Sequence, residues 1–193
     1  KGILVKKEIG YGDIEILESR VKVGDQIAKQ LIFAEGYKMI ENPWFGDLPM
    51  RPNKGELLLI ECDDLAETQL VQKRIFVLPV GGNRYKIGAT YERDNLNLDP
   101  SDEKRDWLIE RLDKALKVPY KIIAHETGIR PAVRDRRPLI GQHHEYKGLW
   151  VFNGFGSKGV HQMPWSANHF VEVLENGQLL NAEMDIKRFN PRQ

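Results

Sequence analysis

Short runs of β-branched and large apolar residues, punctuated by Gly, Asn, Asp and Pro, dominate the chain and predict many short strands. Residues 3–5, 14–17 and 21–23 read as strands, with turns at 10–13 and 24–25. Residues 30–34 (QLIFA) form a compact apolar run that stops at Glu35-Gly36, the pattern of a buried strand ending at a ligand edge. Residues 37–54 carry Trp44 and Phe45 among prolines and glycines and read as a crossing loop. Strands follow at 55–61, 75–79 and 85–90, the last two joined by a turn over 80–84 where Gly81-Gly82 supplies positive φ without steric cost. Residues 101–116 have helical spacing: Ser101 is the expected cap, and Trp107, Leu108, Leu112, Ala115 and Leu116 form the apolar face. After Pro119, residues 120–127, 138–140 and 149–152 read as strands, and 160–174 as a helix closed by Asn176-Gly177. The tail, 182–189, is polar, with Phe189 as its expected anchor.

Strands outnumber helices, and the expected class is α+β. Residues 37–137 read as an antiparallel sheet domain with one helix. Residues 1–36 and 138–193 read as the remnant of an α/β layer, so that the runs 31–34 and 149–152 come together from opposite ends of the chain. The chain opens on a strand-like segment without a methionine and reads as a piece of a longer protein.

Composition narrows the function classes. With 41% hydrophobic and 30% charged residues the chain reads as a folded globular protein. A net charge of +1 gives no broad basic field for nucleic acid. No apolar run reaches the length of a membrane span. The single cysteine, Cys62, excludes an internal disulfide and fits a reducing compartment, so a cytoplasmic location is expected. The five histidines are scattered, His143-His144 in a turn and His161 and His169 on the last helix, with no metal-ligand spacing. A Ser-His-Asp triad finds no support in the spacing.

Chemistry concentrates between Gly128 and Gly159. In Gly-Ile-Arg-Pro (128–131), Pro131 biases Arg130 toward extended backbone, and a fixed guanidinium fork suits a carboxylate or phosphate. The alternative is a structural salt bridge from Arg130 to Glu126 or Asp135. Downstream, residues 134–137 are a charge cluster in which Asp135 reads as a turn-former. The strand 149–152 then breaks into a glycine-rich elbow, 153–159, that opens a helix. Such an elbow gathers backbone N–H groups on an electron-rich ligand group. Together these features suggest a redox cofactor beside an anion-recognising substrate pocket.

The motifs LIFAEG (31–36), KGELL (54–58), IFVLPVGGNRYKIGATYE (75–92), GIRPAVRDRRPLIG (128–141) and NGFGSKGVHQMP (153–164) occur in one order. In that order they resemble the C-terminal half of the FAD-dependent amino-acid and amine oxidoreductases, the D-amino acid oxidase, glycine oxidase and sarcosine oxidase group. The resemblance covers nearly the whole chain. It implies FAD as cofactor and oxidation of a C–N bond in an amino acid or related amine. Arg130 would bind the substrate carboxylate. Gly36, Gly154, Phe155, Gly156, Ser157, Lys158 and Gly159 would contact the flavin. Phe76 stands where a carboxylate-holding tyrosine is found in glycine oxidase, and Ser157 where that enzyme has a second arginine, with Lys158 adjacent. Tyr91 would line the pocket. The family's Gly-x-Gly-x-x-Gly fingerprint with its ribose-binding acid belongs to the N-terminal segment, and this chain is expected to lack it. FAD binding by these residues alone is then expected to be weak, with apolar surface near 31–34 and 149–152 left open to self-association. The rival expectation is a non-catalytic α+β domain with no cofactor.

Overall fold

The computed structural model of the protein describes residues 2–65, 69–72 and 74–189. In chain order the strands are β1 (Ile14–Ile16), β2 (Val21–Val23), β3 (Gln26–Ala28), β4 (Leu31–Phe33), β5 (Asn53–Glu61), β6 (Val71–Gln72), β7 (Phe76–Gly81) and β8 (Arg84–Gly88). Helix α1 (Asp102–Ala115) follows, then β9 (Lys121–Arg130), β10 (Leu139–Gln142), β11 (Leu149–Asn153) and helix α2 (Gly159–Asn176). The mixture of antiparallel and mixed sheets with two helices agrees with the α+β expectation. The chain divides into two compact units, residues 1–51 with 131–193, and residues 52–130. These limits differ from the expected 36/37 and 137/138. Residues 37–51 stay with the first unit because Asn42 and the aromatic pair after it tie them there. The Asn42 Oδ1 accepts the N–H groups of Trp44 (2.9 Å) and Phe45 (3.0 Å), and Phe45 is buried in that unit's core.

In the first unit β4 lies beside β11 in parallel, Leu31 opposite Leu149 and Phe33 opposite Val151, and β10 adds antiparallel on the far side of β11. The two ends of the chain thus meet in one sheet. Alternation of the strands sends Phe33, Leu139, Leu149 and Val151 into one core with Met39, Phe45 and Val133. Ile140, Trp150 and Phe152 cluster with Phe155 and with Phe170 of α2. This corrects the expectation of an open apolar surface at 149–152: Leu149 and Val151 are fully buried, and in β4 it is Ile32 that is exposed. Residues 3–5 form no strand, because nothing pairs with them, and Ile3 is 91% exposed. Three short strands, β1-β2-β3, make a separate antiparallel sheet whose third strand was not anticipated. The tail ends in a turn of 3-10 helix, Ile186–Phe189, with Ile186 buried and Phe189 packed against the first core, as expected of an anchor.

The second unit is a five-stranded antiparallel sheet in the order β6-β7-β8-β5-β9, with α1 on one face. Leu58, Ile60, Tyr85 and Ile87 meet Leu108 and Leu112 of α1 in its core. β9 runs three residues further than the sequence indicated, so Arg130 ends a strand rather than sitting in a turn. Gly81, Gly82 and Asn83 all have positive φ in the β7–β8 hairpin.

A buried ion pair lies under the start of α1. Lys54 and Glu56 are 1% and 0% exposed, with Lys54 Nζ 3.2 Å from Glu56 Oε1. The ammonium also donates to Asn97 Oδ1 (2.9 Å) and the Asp99 carbonyl (2.5 Å). Glu56 accepts the backbone N–H (3.0 Å) and hydroxyl (3.2 Å) of Ser101, the N-cap of α1. His125 Nε2 lies 2.8 Å from Glu56 Oε2 without the alignment of a hydrogen bond. Burial pushes the Glu56 carboxyl up, but the Ser101 N–H and the Lys54 ammonium outweigh it and hold the group below its ordinary 4.5. A depressed carboxyl stabilises the fold above the unfolded pKa, and that stability is lost as pH falls through the lower folded value. Glu56→Gln leaves the Lys54 charge buried without its partner and is expected to cost about 3–5 kcal/mol. Urea unfolding at neutral pH checks this, and a loss under about 1 kcal/mol would contradict the buried-pair account.

Candidate functional site

On the sheet face away from α1, the second unit gathers Asn53, Gly55, Leu57, Gly88, Phe76, Glu126, Gly128 and Arg130. The register sets this: Asn53 is opposite Arg130, Gly55 opposite Gly128, Leu57 opposite both Gly88 and Glu126, and Phe76 opposite Gly88. The Arg130 guanidinium lies directly over Gly55, where a Cβ would overlap its terminal nitrogens. Its Nη1 donates to Asn53 Oδ1 (2.9 Å) and more weakly to the Thr90 carbonyl (3.4 Å). Both acceptors are neutral. Neither carboxylate that the sequence offered as a structural partner is engaged with it. Glu126 pairs with Lys86 at 2.9 Å, and Asp135 with Arg188 at 2.9 Å. Among the described residues Arg130 makes no salt bridge. Burial pulls its guanidinium below the ordinary range, outweighing the opposite influence of the Tyr91 phenol.

The other residues expected on the substrate side are placed differently. Tyr91 is 57% exposed, its hydroxyl accepting from Arg93 Nε at 2.9 Å, so it stands at the surface rather than as a closed wall. Phe76 brings its ring to the α-carbon of Gly88, where an added Cβ would lie 3.0 Å from Cζ. Asp135 is the turn-former expected, with Oδ1 accepting the Arg137 N–H at 3.1 Å, and it also clamps Arg188. His143 is buried rather than set in an open turn; its Nδ1 accepts the N–H groups of Glu145 (3.1 Å) and Tyr146 (3.2 Å). Cys62 is buried and donates to the Pro119 carbonyl, as an inert thiol does. No metal-binding cluster occurs among the described residues, and no helix there is long and apolar enough to cross a membrane.

In the first unit, β11 ends at Asn153 and the chain turns through Gly154 (φ 78°) and Gly156 (φ 53°), both in the left-handed region that favours glycine. A 3-10 turn, Gly156–Lys158, leads into α2. Asn153 is buried and binds both sides of the elbow: its Nδ2 donates to the Gly36 carbonyl (2.9 Å), and its Oδ1 accepts the Gly154 N–H (2.8 Å). Gly36, also at positive φ (63°), is thereby held at the elbow. The Phe155 ring is committed to the core, 4.9 Å from Phe152, while Ser157 and Lys158 are exposed. Neither the 3-10 turn nor α2 has a side-chain cap or an acidic residue in its first turn. The Gly156 and Lys158 N–H groups donate to the Pro131 and Phe155 carbonyls (both 3.1 Å), and no acidic side chain caps the start of α2, which suits an electron-rich ligand edge.

Residues 6–173 match the family model described as FAD dependent oxidoreductase. The chain belongs to the FAD-dependent oxidoreductase family. It is 24% identical over 168 residues to the glycine oxidase of Pseudomonas putida, covering 80% of this chain and 46% of that protein. It is 27% identical over 124 residues to the tRNA 5-methylaminomethyl-2-thiouridine biosynthesis bifunctional protein MnmC of Idiomarina loihiensis, covering 61% of this chain and 20% of that one. Among solved structures, the glycine oxidase of Bacillus cereus superposes with a TM-score of 0.72 at 26% identity, over 86% of this chain and 49% of that one. The glycine oxidase of Geobacillus kaustophilus gives 0.79 at 24% identity, a likeness of fold, over 94% and 52%. The chain therefore spans half or less of the curated relatives it matches.

As a family member the chain has FAD for its cofactor class, and the fit can be tested on its own residues. The uncapped elbow at 153–159, with the Lys158 cation and the main chain of Gly36 beside it, suits the electron-rich edge of a flavin. One expectation is corrected. Gly154, Gly156 and Gly159 do carry the spacing Gly-x-Gly-x-x-Gly, after a strand and ahead of a helix. No strand follows α2 among the described residues, so this copy is not part of a βαβ unit.

Sequence reasoning missed Asn53, Gly55 and Asn153. Asn and Gly are poor strand formers, and two of them at alternate positions of a strand was the available signal for the first pair. Gly55→Ala is expected to fold but to force the guanidinium off the strand. A crystal structure of the variant checks it: Nη1 still within about 3.2 Å of Asn53 Oδ1 would refute the close-approach role of Gly55.

Proposed function

We propose that this protein oxidises the C–N bond of an amino acid or related amine, with Arg130 as the clamp for the substrate carboxylate. The observation that carries the reading is the half-buried guanidinium of Arg130, held by two neutral oxygens and without a counter-ion among the described residues. A substrate carboxylate is the natural missing partner, since it accepts two parallel N–H bonds from one fork. Family membership supplies the redox half, and the glycine oxidases among the relatives support an amino-acid substrate.

In this reading Arg130 binds the carboxylate and orients the carbon that bears the nitrogen. FAD, where bound, supplies the hydride acceptor. The elbow 153–159 and Gly36 hold the flavin edge with main-chain groups, and the N-terminus of α2 favours negative charge there. Phe76 contributes an apolar surface with no hydroxyl, and Tyr91 a phenol at the rim. The substrate amine loses a proton and its carbon a hydride, and water hydrolyses the resulting imine. No side chain of this chain is assigned as a base, because a neutral amine can lose the hydride directly.

Arg130→Ala in the full-length protein is expected to raise KM for the amino acid about tenfold to a hundredfold, the worth of a charge-assisted pair of about 1.5–3 kcal/mol. Arg130→Lys restores it only partly, because an ammonium lacks the planar fork. The flavin-to-protein absorbance ratio stays at the wild-type value in both. Steady-state kinetics beside that ratio decide the matter, and an unchanged KM in Arg130→Ala removes the clamp.

A further inference from the structure

We propose that Asn53 is a positioning residue that keeps the Arg130 charge available: its neutral amide oxygen fixes the guanidinium without neutralising it, so that a carboxylate ligand becomes the counter-ion. The inference rests on the clamp reading of Arg130. Asn53 is 2% exposed, opposite Arg130 in the β5–β9 register, with Oδ1 2.9 Å from Nη1. Asparagine is depleted in strands and costly to bury, so its presence at this position calls for a function.

The same sheet handles two other cations differently. Lys54, the next residue, has the Glu56 carboxylate at 3.2 Å. Lys86 has Glu126 at 2.9 Å, on the same face as Arg130 and two pleat repeats away along β9. Carboxylates are therefore available to this surface, and Arg130 is served instead by an amide oxygen, the Thr90 carbonyl and the bare backbone of Gly55. An aspartate has the shape of asparagine but would satisfy the fork from within the protein. An apolar residue would leave Nη1 unheld and return rotamer freedom to a long side chain.

The test uses the full-length, flavin-loaded protein, with acetate and its neutral isostere acetamide as calorimetric probes, neither of which turns over. Asn53→Asp is expected to weaken acetate binding at least about tenfold, leave acetamide binding unchanged, and raise amino-acid KM while kcat and flavin content hold. Asn53→Val, which keeps the charge but frees the side chain, is expected to weaken acetate binding several-fold while retaining the preference for acetate over acetamide. Wild-type acetate affinity in Asn53→Asp overturns the inference. Should that variant not fold, Asn53→Val decides: no loss at all, or a loss as complete as in Arg130→Ala, overturns it. Arg130→Ala measured alongside separates the two claims. Loss of acetate binding there with none in Asn53→Asp removes the role of Asn53 and leaves the clamp standing. Unchanged acetate binding in Arg130→Ala removes both.

Discussion

The antiparallel pairing of β5 with β9 decides where every charge in the second unit goes. Side chains alternate along a strand, so the register that sends Leu58 and Ile60 toward α1 also sends Asn53, Gly55 and Arg130 to the opposite face. A slip of one residue would bring Lys54 and Glu56 out and push the Arg130 guanidinium into an apolar core. The regular pairing holds from Asn53↔Arg130 to Leu59↔Ala124, and the irregularity falls only between Leu59 and Ile60, beyond the candidate site. Burial of the apolar face thus supplies the specificity that the polar face uses.

Two cations near one end of that pairing meet opposite fates. Lys54 is buried and fully served, with a carboxylate, an amide oxygen and a carbonyl around its ammonium. Taking such a charge from water is costly, and only a dense set of partners offsets it. The same carboxylate receives the N-cap of α1 through Ser101, so the pair also anchors the helix to the sheet it covers. Arg130 is held less completely, by neutral oxygens only. An arginine tolerates this better than a lysine, because its delocalised charge is more weakly hydrated and does not leave by deprotonation. The first arrangement builds the unit, and the second leaves a guanidinium that no carboxylate neutralises among the described residues.

Periodicity made most of the fold legible. Short runs of β-prone apolar residues marked β5, β8, β9 and β11, and the Leu108/Leu112 spacing marked α1 with Ser101 as its cap. The meeting of β4 with β11 could be read from the two motifs expected at the flavin edge, which lie toward opposite ends of the chain. What escaped was set by long-range polar partners rather than by pattern. The Lys54–Glu56 pair looks like an exposed stretch of strand in the sequence, since nothing local announces that Asn97, Asp99, Ser101 and His125 converge on it. β3 and β6 are short strands with little apolar content, defined by their neighbours. Residues 3–5 show the converse, a strand-like composition without a partner. Among the candidate residues, Arg130, Gly36 and the glycine elbow were visible as chemistry. Asn53 and Asn153, which hold them, were not, because a buried asparagine in a strand is legible only once its partner is known.

The glycines of the elbow are not equivalent, and their surroundings separate packing from ligand approach. A Cβ on Gly154 would lie 2.7 Å from Val133 Cγ2 and 3.0 Å from Leu139, so this glycine is required by the core beneath it as well as by its φ. A Cβ on Gly159 would meet only the flexible end of Met163 within 3.0 Å. Gly36 and Gly156 share positive φ, but their missing side chains would enter open space or ordinary contact with Ala132 at 3.6 Å. Where the protein itself does not fill the space beside a left-handed glycine, the backbone stays open to a ligand. Asn153 joins Gly36 to Gly154 of this elbow through one side chain, so the open backbone at Gly36 is fixed there by a single buried amide. The same device recurs at Arg130, where Asn53 and Gly55 together fix a functional group and clear the space it needs. In both units a buried asparagine sets the geometry and a glycine leaves space beside the group it fixes.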